Sequence, residues 1–406
     1  MKKPELLAPA GDLERLKVAF AYGADAVYIG GKFLSMRAKA KNFGLAEMEE
    51  GICHAHLLGK KVYVAVNVCA HNDDFKELDE YLFALGKIKA DAILISDPGV
   101  FIRAKKIIPN VEIHISTQAN ITNYATAAFW RDLGAKRVVL ARELSLAEIK
   151  GIHEKTPDIE IEVFIHGAMC MAYSGRCLIS NFLNSRDANR GECSQPCRFK
   201  YALVEEKTGA AFPVCEDESG TYILNSKDLC MIKHIPNLIN AGISSFKIEG
   251  RMKTEYYVGA VTKAYREAID DFFESPQLYE KNLPFYESEL KKVGNRGYTT
   301  GFFFGKMTEN DHDYSGKSQV TSQDFLAIVE SFDEKTGICL IEQRNKFSVG
   351  DKTEILRASG DNFTQTVESV HDENGAEINS APHPKQKIFL KINSPVAKYD
   401  MIRKSL

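Results

Sequence analysis

The chain lacks any apolar run long enough to cross a bilayer. Its start, Met1-Lys2-Lys3-Pro4-Glu5-Leu6-Leu7, carries two lysines but no secretory core, because the apolar run stops at Gly11-Asp12. The cytoplasm is the expected location, with no membrane partner. A strong charge of either sign is also missing. A net charge of −3 argues against a basic coat, although a local patch is enough to contact phosphates. There is no His-Glu-x-x-His stretch and no Gly-x-Ser-x-Gly elbow, so two common hydrolase arrangements are excluded. Asp25 and Gly30-Gly31 make no dinucleotide fingerprint, and neither an internal repeat nor a low-complexity tract is present. Nine cysteines, an odd number in a long chain without a secretory signal, disfavour a disulfide framework and favour metal binding or catalysis.

What remains is an ordinary globular composition, 44% apolar and 26% charged. At 406 residues it can form a large domain and a smaller one, each with its own core. From the N-terminus, short β-rich runs alternate with helical stretches: Glu5–Ala8, Ala26–Ile29, Val62–Val66, Ala92–Ile95, Glu112–Ile115, Arg137–Leu140, Ile161–Ile165 and Ser245–Ile248. Helix candidates between them include Leu13–Tyr22, Leu45–Leu58, Phe75–Ile88, Tyr124–Leu133 and Leu146–His153. Eight such units indicate an α/β fold, a (β/α)8 barrel of the TIM type over residues 1–274, rather than an open sheet. A long cysteine-bearing insertion, 167–230, interrupts the seventh unit before a helix near Asp228–Asn240. After the helix Glu255–Phe273, residues 275–320 read as a linker and extension. Short alternating strands follow (Phe325–Ser331, Ile338–Gln343, Lys352–Leu356, Lys387–Ile392), suggesting a small C-terminal β-barrel domain over 321–406.

Active sites of such barrels lie where strands end and βα loops begin. That rule selects Pro9-Ala10-Gly11, Gly30-Gly31, Asn67, Ser96-Asp97, Ser116-Thr117-Gln118, Arg142-Glu143, His166-Gly167 and Glu249-Gly250-Arg251. Carboxylates, arginines, a histidine and several amides on one rim suit a polar ligand. The competing reading is that rim residues are polar because water reaches them.

Six cysteines fall in one region: Cys170, Cys177, Cys193, Cys197, Cys215 and Cys230. Structural zinc favours pairs two to four residues apart, whereas Cys170 and Cys177 are more widely spaced and Cys230 stands alone. That layout suits a metal or cluster gathered from several loops, with the metal undecided. Buried free thiols acting as small apolar residues are the alternative. His166 precedes Cys170 by four positions, so a Cys/His nucleophile is a further use of the region. Positive charge gathers at Arg186, Arg190, Arg198 and Lys200, at Lys247, Arg251 and Lys253, and in the tail at Lys385, Lys387, Lys391, Lys398, Arg403 and Lys404. With Phe199, Tyr201, Tyr298 and Phe302 as stacking candidates these could contact RNA, against a reading of solvated surface charge and core aromatics.

The motifs together resemble the collagenase-like peptidase family U32. They are Pro4-Glu5-Leu6-Leu7-Ala8-Pro9-Ala10-Gly11, Glu162 through Cys170, Ser174-Gly175-Arg176-Cys177, Gly191-Glu192-Cys193 with Gln195-Pro196-Cys197-Arg198, Lys247-Ile248-Glu249-Gly250-Arg251, and Asn295-Arg296-Gly297-Tyr298. The family name records an old protease assignment, whereas better-understood bacterial members hydroxylate RNA or the ubiquinone ring without molecular oxygen. The resemblance implies a [4Fe–4S] cluster on Cys170, Cys177, Cys193 and Cys230, with Cys197 an additional nearby thiol. It is strongest to a group acting on the wobble uridine of tRNA to give 5-hydroxyuridine, with prephenate as a small carboxylated partner metabolite. The run Gln343–Asp351 is also similar to a tRNA-contacting domain of translation factors. On this reading Glu249 and Glu143 handle protons, Arg142 and Arg251 hold the anionic ligand, and His166 joins them. The rival functions are a peptidase, for which no convincing nucleophile emerges, and a cluster-bearing adaptor without catalysis.

Overall fold

The computed structural model describes residues 2–37, 41–170, 172–198, 200–204, 211–213, 221–222, 226–312 and 320–406. Eight parallel strands form the barrel: β1 (Glu5–Pro9), β2 (Ala26–Gly30), β3 (Lys61–Val66), β4 (Ala92–Ile95), β5 (Glu112–Ile115), β6 (Arg137–Val139), β7 (Glu160–Gly167) and β8 (Ser245–Ile248). Each pairs with the next, and β8 closes the ring by pairing with both β7 and β1. Parallel strands buried on both faces read as nearly continuous apolar runs, which is why the sequence pattern locates all eight. Their alternation separates two layers. Leu7, Ala26, Tyr28, Tyr63, Ala92 and Leu94 point into the barrel. Leu6, Val27, Ile29, Val62, Val64 and Ile93 pack outward against the helices.

Those helices are α1 (Leu13–Ala21), α2 (Leu45–Leu57), α3 (Phe75–Lys87), α4 (Pro98–Ile107), α5 (Tyr124–Asp132), α6 (Leu146–Lys155), α7 (Ile235–Asn240) and α8 (Glu255–Glu274). Several begin where the sequence supplies an oxygen to accept from an orphan N–H: Asp12 for α1, Asp97 for α4, Asn123 for α5, Ser145 for α6 and Thr254 for α8.

Two segments differ from the sequence expectation. Asp228–Cys230 is a short strand, antiparallel to the end of β7, and the helix expected there starts only at Ile235. The main chain explains it: Met231 N–H donates to the Ile165 carbonyl at 3.0 Å, and Pro236 sits in the first turn of α7, where its missing N–H costs nothing. The stretch expected to be a linker contains α9 (Pro276–Lys292), capped by Ser275, which buries Tyr279, Tyr286 and Leu290. Its polar composition and internal Pro284 hide it from a composition reading.

The C-terminal domain is an antiparallel curled sheet whose longer strands are Gln323–Asp333, Ile338–Gln343, Lys352–Leu356, Lys387–Lys391 and Met401–Ser405. Its core includes Leu326, Val329, Ile341, Ile355, Ile388 and Leu390. It is tied to the barrel by buried polar groups. The Tyr22 hydroxyl lies 2.9 Å from the Leu356 carbonyl and 3.1 Å from that of Tyr399. Lys263 donates to the Arg357 and Gly360 carbonyls and to Asn362 Oδ1. Fully buried Arg403 bridges Glu289 of α9 at 2.7 Å and Glu354 at 3.0 Å, and donates to the Tyr256 hydroxyl at 3.2 Å.

The barrel interior is also polar. Arg137 Nη1 donates to Glu5 Oε1 at 2.6 Å and Glu162 Oε2 at 3.0 Å, and Lys247 Nζ donates to Glu162 Oε1 at 2.7 Å. Burial by itself would raise the Glu162 carboxyl, but Lys247 and Arg137 reverse this and hold it at about 2.

Removing Arg403 leaves Glu289 and Glu354 to share Lys292 in a largely buried interface, so Arg403→Ala is expected to cost about 3 kcal/mol, the lower end for a broken buried pair, in a denaturant titration. The depressed Glu162 pKa gives a second expectation. Its stabilisation is complete above the ordinary value of 4.5 and is lost as pH falls toward about 2. Unfolding free energy measured across that window should fall for the wild type and fall less steeply for Glu162→Gln, by up to about 1.4 kcal/mol per pH unit.

Candidate active site at the barrel mouth

Strand β8 ends in Glu249-Gly250-Arg251, and the chain makes room for these side chains with glycines on neighbouring strands. A Cβ on Gly30 would strike the Arg251 guanidinium and the Ser35 hydroxyl, one on Gly11 the Arg251 carbonyl, and one on Gly167 the Glu249 carbonyl. Buried Arg251 donates to Ser35 Oγ at 3.0 Å and Asn42 Oδ1 at 2.6 Å. Its desolvation, together with the charge of Arg37, lowers its pKa to about 10. Burial would push the Glu249 carboxyl up, but Arg37, Arg142 and Arg251 outweigh it and keep the group ionised. Arg37 Nη2 lies 3.2 Å from Glu249 Oε1, and the Tyr28 hydroxyl donates to the Ile248 carbonyl at 3.0 Å beside it.

Arg37 is the member of this group that the sequence does not mark. It stands in the loop after β2, within a lysine-rich stretch that reads as exposed charge, and only long-range packing carries it to Glu249.

Two connected spaces open here. The deeper is small, about 60 Å³, and is lined by Tyr28, Asn67, Gln118, Phe164, Lys247 and the Arg37, Arg142, Arg251 and Glu249 group, among others. Two buried donors near it, Gln118 Nε2 and Arg251 Nε, have no hydrogen-bond partner among the described residues. Above it lies a cavity of about 400 Å³ roofed by the insertion, which shares Arg37, Gln118, Arg142 and Glu249. Arg142 spans the two, donating to the Ala168 carbonyl at 2.6 Å and lying over the Phe164 ring at 4.5 Å.

The upper cavity collects Cys170, Cys177, Cys193 and Cys197 from separate loop segments. None of the described cysteines is in a disulfide. Among the described residues no three His, Cys, Asp or Glu side chains converge as a ready metal site. The donor set and charge nevertheless suit an anionic thiolate-bound group. Arg37, Arg142, Arg186, Lys253 and Arg296 line the cavity against one carboxylate, Glu249, although Arg296 is also paired with Asp228 at 2.5 Å.

Other sequence candidates lie elsewhere. Cys230 is not among the cavity-lining residues; the Tyr265 hydroxyl lies 3.8 Å from its Sγ, and burial pushes its thiol up to about 11. His166 is buried among Tyr257, Tyr265 and Tyr298. Its Nδ1 is 3.3 Å from the Tyr265 hydroxyl, and desolvation lowers its pKa to about 3, leaving a neutral ring away from the cavity. Glu143 lines neither space; burial raises its carboxyl, which accepts from the backbone N–H groups of Arg142 and itself. Asp97 is spent as a helix cap. In the tail Arg403 is buried, Lys387 pairs with Glu330 and Glu342, and Lys404 pairs with Asp351, so these three are not open phosphate contacts. Phe199, Cys215 and the side chains of Arg198, Lys200 and Tyr201 lie outside the described residues. Among the described residues no helix is long and apolar enough to cross a membrane.

Gly30→Ala is expected to cost about 1–3 kcal/mol in an unfolding titration, because the Arg251 guanidinium must move. Gly151→Ala, in helix α6 with nothing within 4 Å, is the control and should be neutral or slightly stabilising.

With this geometry in hand, comparison with known proteins gives a consistent picture. The family model described as Peptidase family U32 matches residues 11–313, and that described as Peptidase family U32 C-terminal domain matches 321–403. "tRNA hydroxylation protein P1" of Bacillus subtilis is 43% identical over 403 residues, covering 99% of this chain and 95% of that protein. "tRNA hydroxylation protein P" of Escherichia coli is 38% identical over 434 residues, covering 97% and 94%. "23S rRNA 5-hydroxycytidine C2501 synthase" of Escherichia coli is 40% identical over 303 residues, covering 73% of this chain and 45% of that protein.

Proposed function

The chain belongs to peptidase family U32, and from that membership and the chemistry of the barrel mouth we propose that it is an RNA-modifying enzyme. The reaction is oxygen-independent hydroxylation of the tRNA wobble uridine to 5-hydroxyuridine, with a [4Fe–4S] cluster and with prephenate as the small carboxylated co-substrate. The observation that supports this best is one cavity bordered by four thiols, a surplus of cations and a single ionised carboxylate. The names of the relatives, which describe hydroxylation of tRNA and of rRNA, point the same way.

Cys170, Cys177, Cys193 and Cys230 would hold the cluster, Cys230 standing on the strand that pairs with the end of β7, and Cys197, which borders the thiol cavity, is an additional thiol nearby. When bound, the cluster supplies electron transfer in a cationic setting. The chain's own groups do the rest. Arg142, Arg251 and Lys247 surround the deeper space, where Gln118 Nε2 and Arg251 Nε, donors without a partner among the described residues, suit a carboxylate that accepts from them. Glu249, kept ionised by three guanidinium groups, is the base able to take a proton at the floor of the upper cavity. Neutral, enclosed His166 and cap-like Glu143 take no part in this scheme.

Mass spectrometry of tRNA nucleosides from a deletion strain should find 5-hydroxyuridine missing. The wild-type gene should restore it, and Glu249→Gln or Arg251→Ala should not. Unchanged modification in the deletion strain would sink the assignment. After anaerobic purification, Ser at positions 170, 177, 193 or 230 should lower iron content, whereas Cys197→Ser should keep it.

A further inference from the structure

The insertion that roofs the cavity carries an apolar ledge that the barrel does not cover. It centres on the short helix Ile179–Asn184, where Phe182 is 88% exposed and the adjoining Leu178 68% exposed. Tyr173 and Leu183 are exposed beside them. A side chain as large as phenylalanine left in water forfeits on the order of 2 kcal/mol of burial, so an uncovered group of this kind marks a contact surface.

Two features say what occupies it. Cations alternate with the apolar groups: Arg176 donates to the Gly175 carbonyl at 3.2 Å, and Arg186 borders the cavity itself. Among the described residues neither has a carboxylate partner. The ledge is also continuous with the site, because Tyr173, Ile179 and Arg186 line the thiol cavity. Tyr173 and Arg176 in turn border a shallow depression of about 460 Å³ together with Asn120 and Thr122. Unpaired nucleotides need aromatic faces for bases and arginines for phosphates, side by side.

We propose that the ledge of Tyr173, Leu178 and Phe182, flanked by Arg176 and Arg186, stacks the unpaired nucleotides adjoining the target while the target base drops into the thiol-lined cavity. This rests on the RNA reading above and adds to it the element that selects single-stranded over duplex substrate. A base in a stack cannot reach the recessed floor near Glu249, so its neighbours must be held apart from it.

The test measures binding of the anaerobically purified full chain to a labelled stem–loop RNA and to a blunt duplex of equal length. Phe182→Ala and Tyr173→Ala are each expected to weaken stem–loop binding about tenfold, with duplex binding, iron content and melting temperature as in the wild type. Phe182→Trp should bind as the wild type, and Phe182→Leu should weaken binding like Phe182→Ala. Stem–loop binding by the Ala variants equal to wild type would overturn the ledge and leave the functional reading standing, as expected of a protein-docking surface. An equal loss on both RNAs, or full binding by Phe182→Leu, would also overturn it. A wild-type protein with no preference for the stem–loop would overturn the ledge and the RNA reading together.

Discussion

A chain of opposite charges through the barrel interior holds the site in place. Glu5, Arg137, Glu162 and Lys247 come from strands β1, β6, β7 and β8, and each is within hydrogen-bond distance of the next. The Tyr63 hydroxyl of β3 adds a bond to Glu5 at 2.7 Å, and Ser245 Oγ lies 3.1 Å from Glu5 and 3.2 Å from Glu162. A purely apolar filling could pack this space, but it would not fix the rotation of β8 relative to β7 and β1. Ion pairs with one satisfied geometry do, and their rearrangement would leave charges buried without partners. Because Lys247 precedes Glu249 by two residues on the same strand, the charge chain ends directly beneath the mouth.

Above that anchor the electrostatics reverse. The floor network is nearly balanced, whereas the mouth has three guanidinium groups around one carboxylate. Two of the three arginines are held back from Glu249 by another commitment: Arg251 to Ser35 and Asn42, Arg142 to the Ala168 carbonyl. Only Arg37 pairs directly with the carboxylate. The result is a pocket with donors to spare, and the glycines at 11, 30 and 167 allow the side chains to approach so closely.

How much of this was legible in the sequence depends on the range of the interaction. The eight barrel strands were readable because each is a short, mostly apolar run buried on both faces, a local property even where single charged residues point into the barrel. Rim positions Glu249, Arg251 and Arg142 followed from the strand ends. The strand at Asp228–Cys230 was not readable, because its pairing with β7 crosses the whole insertion. Helix α9 was hidden by polar composition, although its Ser-Pro start is a legible cap. His166 illustrates a limit of the strand-end rule: its side chain faces Tyr265 rather than the mouth, and residue spacing does not distinguish the two directions. The cysteines are similar, since spacing groups six of them without distinguishing those that border the cavity, Cys170, Cys177, Cys193 and Cys197, from Cys230 beside Tyr265.

The attachment of the C-terminal sheet is uneven in kind. On the barrel side it depends on particular side chains, Tyr22 and Lys263, while on the sheet side the acceptors are mostly main-chain carbonyls at Leu356, Arg357, Gly360 and Tyr399. A carbonyl is present whatever residue occupies the position. The sheet can therefore drift in sequence at those points without loosening, so long as Arg403 keeps its bridge to Glu289 and Glu354.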